Sequence, residues 1–114
     1  MLPLTVVFAV ATSNTTVSGN MGSTTDTDYF VVQLPAGKTL TSTLTMSSAS
    51  NDFDLYVYDS SGALLAKSEN GAGAVDSVAV ANTGTTTSAR NVRVMYFSGG
   101  TGATSGQYTL KLAW

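Results

Sequence analysis

Apolar and polar residues alternate along most of this chain with a period of two. The clearest stretch is Leu40, Leu44 and Met46 interleaved with Thr41, Thr43 and Thr45. In an extended backbone that spacing puts an apolar row on one face and a threonine ladder on the other. No window repeats apolar residues at the three- and four-residue spacing that a helix needs. Alternation predicts further strands over Tyr29 to Leu34, Phe53 to Tyr58, Ala63 to Lys67, Val75 to Val80, Val92 to Phe97 and Tyr108 to Ala113. Turn residues separate them. Pro35-Ala36-Gly37 suits a turn in which Pro presets φ and Gly takes a positive φ, and Asp59-Ser60-Ser61-Gly62 suits a tight hairpin. Asn82-Thr83-Gly84 and Ser98-Gly99-Gly100 mark longer connections, and Gly99 to Gly106 reads as one loop. Short strands in this number, each with one polar side, predict an all-β fold. Two packed sheets, an antiparallel β-sandwich, are favoured over a single closed barrel.

The apolar run Leu2 to Val10 has no basic residue before it and is interrupted by Pro3. It therefore reads as an extra strand or linker within residues 1–14 rather than as a leader, with the main domain over 15–114. The run is too short to cross a bilayer as a helix.

Composition narrows the chemistry. At 114 residues the chain is the size of one domain. Charged residues are only 11% and the net charge is -2, so no basic stripe exists to neutralise a row of phosphates. Nucleic acid is not an expected partner. The chain contains neither Cys nor His. Disulfides, thiolate nucleophiles, a Ser-His-Asp triad and a His-held zinc are excluded together. A skin of Thr, Ser and Gly with few Lys suits an exported, extracellular protein.

Several segments, taken in order, resemble a known family. They are Asp26-Thr27-Asp28-Tyr29-Phe30, Leu34-Pro35-Ala36-Gly37, Asp52 to Asp59, Ser60-Ser61-Gly62 with Leu65-Ala66-Lys67-Ser68, Val92-Arg93-Val94 and Gly106 to Leu110. Together they are similar in order and spacing to the bacterial pre-peptidase C-terminal domain. The resemblance implies a jelly-roll-like sandwich appended to secreted metallo- or serine peptidases and often removed after export. It also implies kinship with collagenase modules that bind collagen, some of which hold calcium at their N-terminal edge.

Two sets of residues could carry a ligand. Asp26 with Asp28, and less strongly Asp52 with Asp54, are carboxylate pairs at i and i+2 that could give two oxygens to calcium, the one cofactor these residues suit. The bland reading is that they cap turns and accept backbone N–H bonds. The resemblance implies that calcium-holding relatives draw further acidic ligands from a segment ahead of the first strand, and residues 1–25 here contain no Asp or Glu, which weakens the calcium reading. Neighbours on one strand cannot flank a glycosidic bond from opposite sides, so no catalytic residue is expected. The second set is aromatic. Phe53, Leu55 and Val57 should face the core, leaving Tyr56 and Tyr58 outward; if Val92, Val94 and Tyr96 face inward, Arg93, Met95 and Phe97 face out. These five are the candidate ligand-binding residues, and cover by a loop or neighbouring domain is the equal alternative.

The expected function is a non-catalytic accessory domain that binds insoluble protein such as collagen, or assists secretion and maturation of its parent peptidase. The alternatives are a carbohydrate-binding or adhesin-like module and a spacer without ligand. A flat aromatic platform would suit sugar rings; a groove would suit a peptide or triple helix.

Overall fold

The computed structural model describes the backbone over residues 5–10 and 13–114, and side chains over 13–114. Among the described residues nine strands and one short helix follow in order: β1 Thr5–Val10, β2 Thr15–Asn20, β3 Thr27–Leu34, β4 Thr39–Met46, β5 Asp52–Tyr58, β6 Leu64–Ser68, β7 Asp76–Ala81, β8 Ser88–Ser98, α1 Gly102–Ser105 and β9 Gln107–Ala113. They form a five-stranded sheet, β1-β3-β8-β5-β6, and a four-stranded sheet, β2-β9-β4-β7. Antiparallel pairs β2–β9, β3–β8, β4–β7 and β5–β6 nest inside one another. This is one long hairpin rolled over itself, the jelly-roll topology. The fold is an all-β sandwich, and the antiparallel expectation has one exception: β1 joins the edge of the larger sheet parallel to β3, with Val7 opposite Tyr29.

The alternation read from sequence is what fills the space between the sheets. Phe30, Val32 and Leu34 of β3, Phe53, Leu55 and Val57 of β5, and Val92 and Val94 of β8 point inward from one sheet. Leu40 and Leu44 of β4, Val78 and Val80 of β7, and Tyr108, Leu110 and Leu112 of β9 meet them from the other. Met21 and Tyr108 close one end, where the Tyr108 ring stands edge-on to Phe53 at 6.3 Å between centroids. Each such side chain contributes about 1.5–3 kcal/mol on burial.

Turns behave as their residues dictate. Gly37 has φ +77° and Lys38 N–H closes the turn on the Pro35 carbonyl, a conformation that a Cβ would resist. In the β5–β6 hairpin the Asp59 carboxylate accepts from the backbone N–H groups of Ser61 and Ala63 and from the Ser61 hydroxyl. Two buried asparagines organise the longer loops. Asn51 donates to the Ser105 carbonyl and accepts from Gly100 N–H, both at 2.7 Å; Asn82 donates to the carbonyls of Leu34 and Thr86 and accepts from Gly84 N–H.

Three further features depart from the sequence expectation. Residues 15–20 form a strand, β2, that alternation does not announce. Its inward positions are Thr15, Val17 and Gly19, and at Gly19 the Tyr108 side chain fills the space, so that a Cβ there would stand 2.5 Å from its hydroxyl. Strand β8 begins at Ser88, not Val92, because Arg90 occupies an inward position that an aliphatic would have flagged. The stretch expected to be one loop, Gly99 to Gly106, contains the single turn of helix α1.

Candidate binding face

On the outer side of the five-stranded sheet, residues from four strands line up in cross-strand rows. Tyr29 lies opposite Arg93, Arg93 opposite Tyr56, and Tyr56 opposite Lys67. In the next row Val31 lies opposite Asn91 and Asn91 opposite Tyr58. Alternation alone produces this: every second residue of β3, β8 and β5 is committed to the core, and the residues between must face away from it.

A groove of about 390 Å³ runs between these rows, lined by Tyr29, Val31, Tyr58, Gly62, Asn91 and Arg93. The guanidinium of Arg93 forms part of its wall. Its Nε donates to Thr27 Oγ1 at 2.8 Å, one Nη donates to the Tyr58 hydroxyl at 3.4 Å, and its carbon stands 5.6 Å from the Tyr29 ring centroid, a cation–π distance. Tyr56 stacks on Tyr58, with centroids 6.5 Å apart and planes 23° from parallel. The Tyr56 hydroxyl donates to Glu69 at 3.0 Å, and Glu69 is paired with Lys67 at 2.7 Å. Burial and the neighbouring Glu69 push the Tyr56 phenol up to about 12, so it remains a neutral donor.

Of the five candidate residues, Tyr56, Tyr58 and Arg93 come together here. Met95 lies one row away, opposite Asp54. Phe97 sits where the β5–β8 register shifts, between the Phe53–Tyr96 and Asp52–Ser98 pairs, and is 67% exposed. Tyr29 and Val31 were not singled out from sequence, yet the inward parity of Phe30, Val32 and Leu34 already implied their outward direction.

The carboxylates are placed quite differently from one another. Asp26 caps the loop before β3, its two oxygens accepting from Gly22 N–H and Thr27 N–H. Asp28 points inward, and one of its oxygens accepts a short bond from the Tyr108 hydroxyl that joins the two sheets. Its other oxygen is buried without a partner. Burial, opposed by the Tyr108 bond and aided by Asp26, raises Asp28 to about 6. Asp52 and Asp54 are both buried, and the charge of Asp52 acts on Asp54. Burial first, then the charges of Asp52, Asp76 and Glu69, push Asp54 up to about 7. Asp76, fully buried at the start of β7, accepts from the Ser68 hydroxyl and Asn70 N–H; burial raises its pKa and these bonds oppose the rise. Among the described residues, no three acidic side chains are grouped so that they could hold a metal ion.

The family model of the bacterial pre-peptidase C-terminal domain matches residues 26–112. The chain belongs to that family. This pre-peptidase C-terminal domain is also similar in fold to solved structures. One is the pre-peptidase C-terminal domain of a Bacillus anthracis collagenase, at 14% identity and a TM-score of 0.71, covering 98% of this chain and 99% of that one. Another is a Yersinia pseudotuberculosis-derived mitogen, at 12% identity and 0.69, covering 90% and 86%. A third is PliG of Aeromonas hydrophila, a periplasmic inhibitor of g-type lysozyme, at 14% identity and 0.57, covering 96% and 98%. A search among curated protein sequences finds no match. Family membership supports an accessory domain of peptidases.

Proposed function

We propose that this pre-peptidase C-terminal domain acts outside the cell, holding its parent peptidase to an insoluble, collagen-like protein substrate through the outer face of the five-stranded sheet. The observation that carries the reading is the groove between Tyr29 and Tyr58, with Arg93 in its wall. Aromatic rings and Arg are the side chains most often found at the energetic centre of protein interfaces. A concave slot bordered by rings admits an extended chain, whereas a sugar ring is better served by a flat platform. Phe97, exposed at the end of β8, extends the apolar surface beyond the groove. Collagenase kinship supports the choice of substrate.

Co-sedimentation of the domain with insoluble collagen, chitin and cellulose tests this directly. Retention on collagen, reduced by Tyr58→Ala, is the expected result. Retention on chitin or cellulose alone would favour the carbohydrate-binding reading. Retention on none would leave a role in secretion or maturation, or as a spacer.

A further inference from the structure

The chain carries seven acidic residues against five basic ones, and the fate of every acid is visible. Asp26, Asp28, Asp52, Asp54 and Asp76 are buried. Asp59 is spent on the hairpin turn, and Glu69 is paired with Lys67. None forms an ion pair with Arg93, and residues 1–25 hold no Asp or Glu that could do so. A guanidinium is always charged and has five donors in a rigid fork. Arg93 uses Nε on Thr27 and one weak Nη contact on Tyr58, and makes no other hydrogen bond among the described residues. A fixed positive charge, held in place by Thr27, Tyr29 and Tyr58 and lacking a counter-charge, therefore faces a groove whose lining contains no acid.

We propose that the groove recognises a carboxylate side chain, Glu or Asp, on an extended segment of the partner protein. The carboxylate accepts from the free Nη edge of Arg93, as a fork that matches two oxygens favours. The rings of Tyr29 and Tyr58, with Val31, cover the aliphatic part of the side chain, and Asn91, whose amide nitrogen donates to the Asp59 carbonyl at 3.4 Å, borders the groove in the row of Val31 and Tyr58. The inference rests on the reading that this face is the recognition surface, and adds the chemical group it selects. Charge complementarity is the deciding argument: an acidic chain that hides or pairs its own carboxylates leaves one arginine open at an aromatic slot.

The test is an NMR titration of isotope-labelled domain with three short peptides. These are acetyl-Pro-Glu-Gly-amide, its Gln counterpart, and acetyl-Pro-Gln-Gly with a free C-terminus. The expected result is movement of the Arg93 Nε–H signal and of the Tyr29 and Tyr58 ring signals with the Glu peptide, and affinity about tenfold lower for the Gln peptide. Arg93→Gln should remove the preference while the spectrum stays folded. Equal response to Glu and Gln, or response only to the free C-terminus, would overturn the proposal. Collagen retention measured on the same samples separates the two failures. If Tyr58→Ala lowers retention while no peptide moves Arg93, the face binds protein without selecting a carboxylate, and only this inference falls. If collagen retention is also absent, the binding face falls with it.

Discussion

Replacing Asp28 by Asn should change how stability depends on pH, and by an amount the structure sets. Asp28 points into the core from β3, bonded to Tyr108 and 4% exposed. Burial holds its carboxyl near pH 6 in the folded protein, against an ordinary value of 3.8. Between those values the folded state keeps a proton that the unfolded chain has released, so stability falls as pH rises from about 4 to about 6 and is level above that. The difference corresponds to at most about 3 kcal/mol. Asn keeps an acceptor for the Tyr108 hydroxyl and cannot ionise. Urea unfolding of both proteins at pH 4 and pH 7.5 isolates the effect, because titrating groups that do not act on Asp28, Asp54 included, cancel in the difference. The one acid that does act on it, Asp26, is common to both proteins. Stability of the wild type relative to Asp28→Asn should fall by up to about 3 kcal/mol between the two pH values. A difference that does not change with pH, or that moves in favour of the wild type as pH rises, would refute the placement of Asp28.

Other expectations follow from single contacts. Asn51→Ala removes a buried amide that ties the Ser105 carbonyl to the Gly100 N–H and should cost about 1–3 kcal/mol in urea unfolding. Gly19→Ala drives a Cβ into the Tyr108 phenol and should cost about 1–3 kcal/mol, with a shifted Tyr108 ring signal by NMR. Phe97→Ala should weaken retention on collagen and leave the melting temperature nearly unchanged, since Phe97 is 67% exposed; a large fall would place it in the core. Calcium added after chelator treatment should leave the melting temperature unchanged, because the Asp26 oxygens already accept from Gly22 and Thr27 N–H and Asp28 points inward onto Tyr108. A rise that Asp54→Asn removes would put a cation at the Asp52–Asp54 pair.

Most of the sandwich was legible because alternation is a direct imprint of a sheet with one buried face. In β4, the leucines and threonines of residues 40–45 give strand, face and register parity at once. Failures came where another residue took over an inward position. Gly19 is inward but empty, since Tyr108, distant in sequence, fills its place. Arg90 is inward although charged, its guanidinium bonded to the Ser88 hydroxyl and the Ala89 carbonyl. Asp76 shares the inward parity of Val78 and Val80, but a carboxylate at a strand start gives no apolar signal to read. The candidate face was half legible. Parity around Phe53 and Val92 assigned Tyr56, Tyr58 and Arg93 to outer surfaces, and only the strand order β3-β8-β5 brings Tyr29 beside them. The acids were the least legible, because Asp at i and i+2 looks the same whether it caps a loop, as Asp26 does, or points between the sheets, as Asp28 does.

Hydroxyl-radical footprinting of the domain, free and bound to collagen fibres, tests the central claim most directly. Tyr29, Tyr56, Tyr58, Met95 and Phe97 lie on or beside one face and are oxidisable reporters. They should lose reactivity on binding, while Trp114 and the Thr41, Thr43 and Thr45 side of β4 should not. Protection of the β4 side with Tyr29 and Tyr58 still fully reactive would contradict the account.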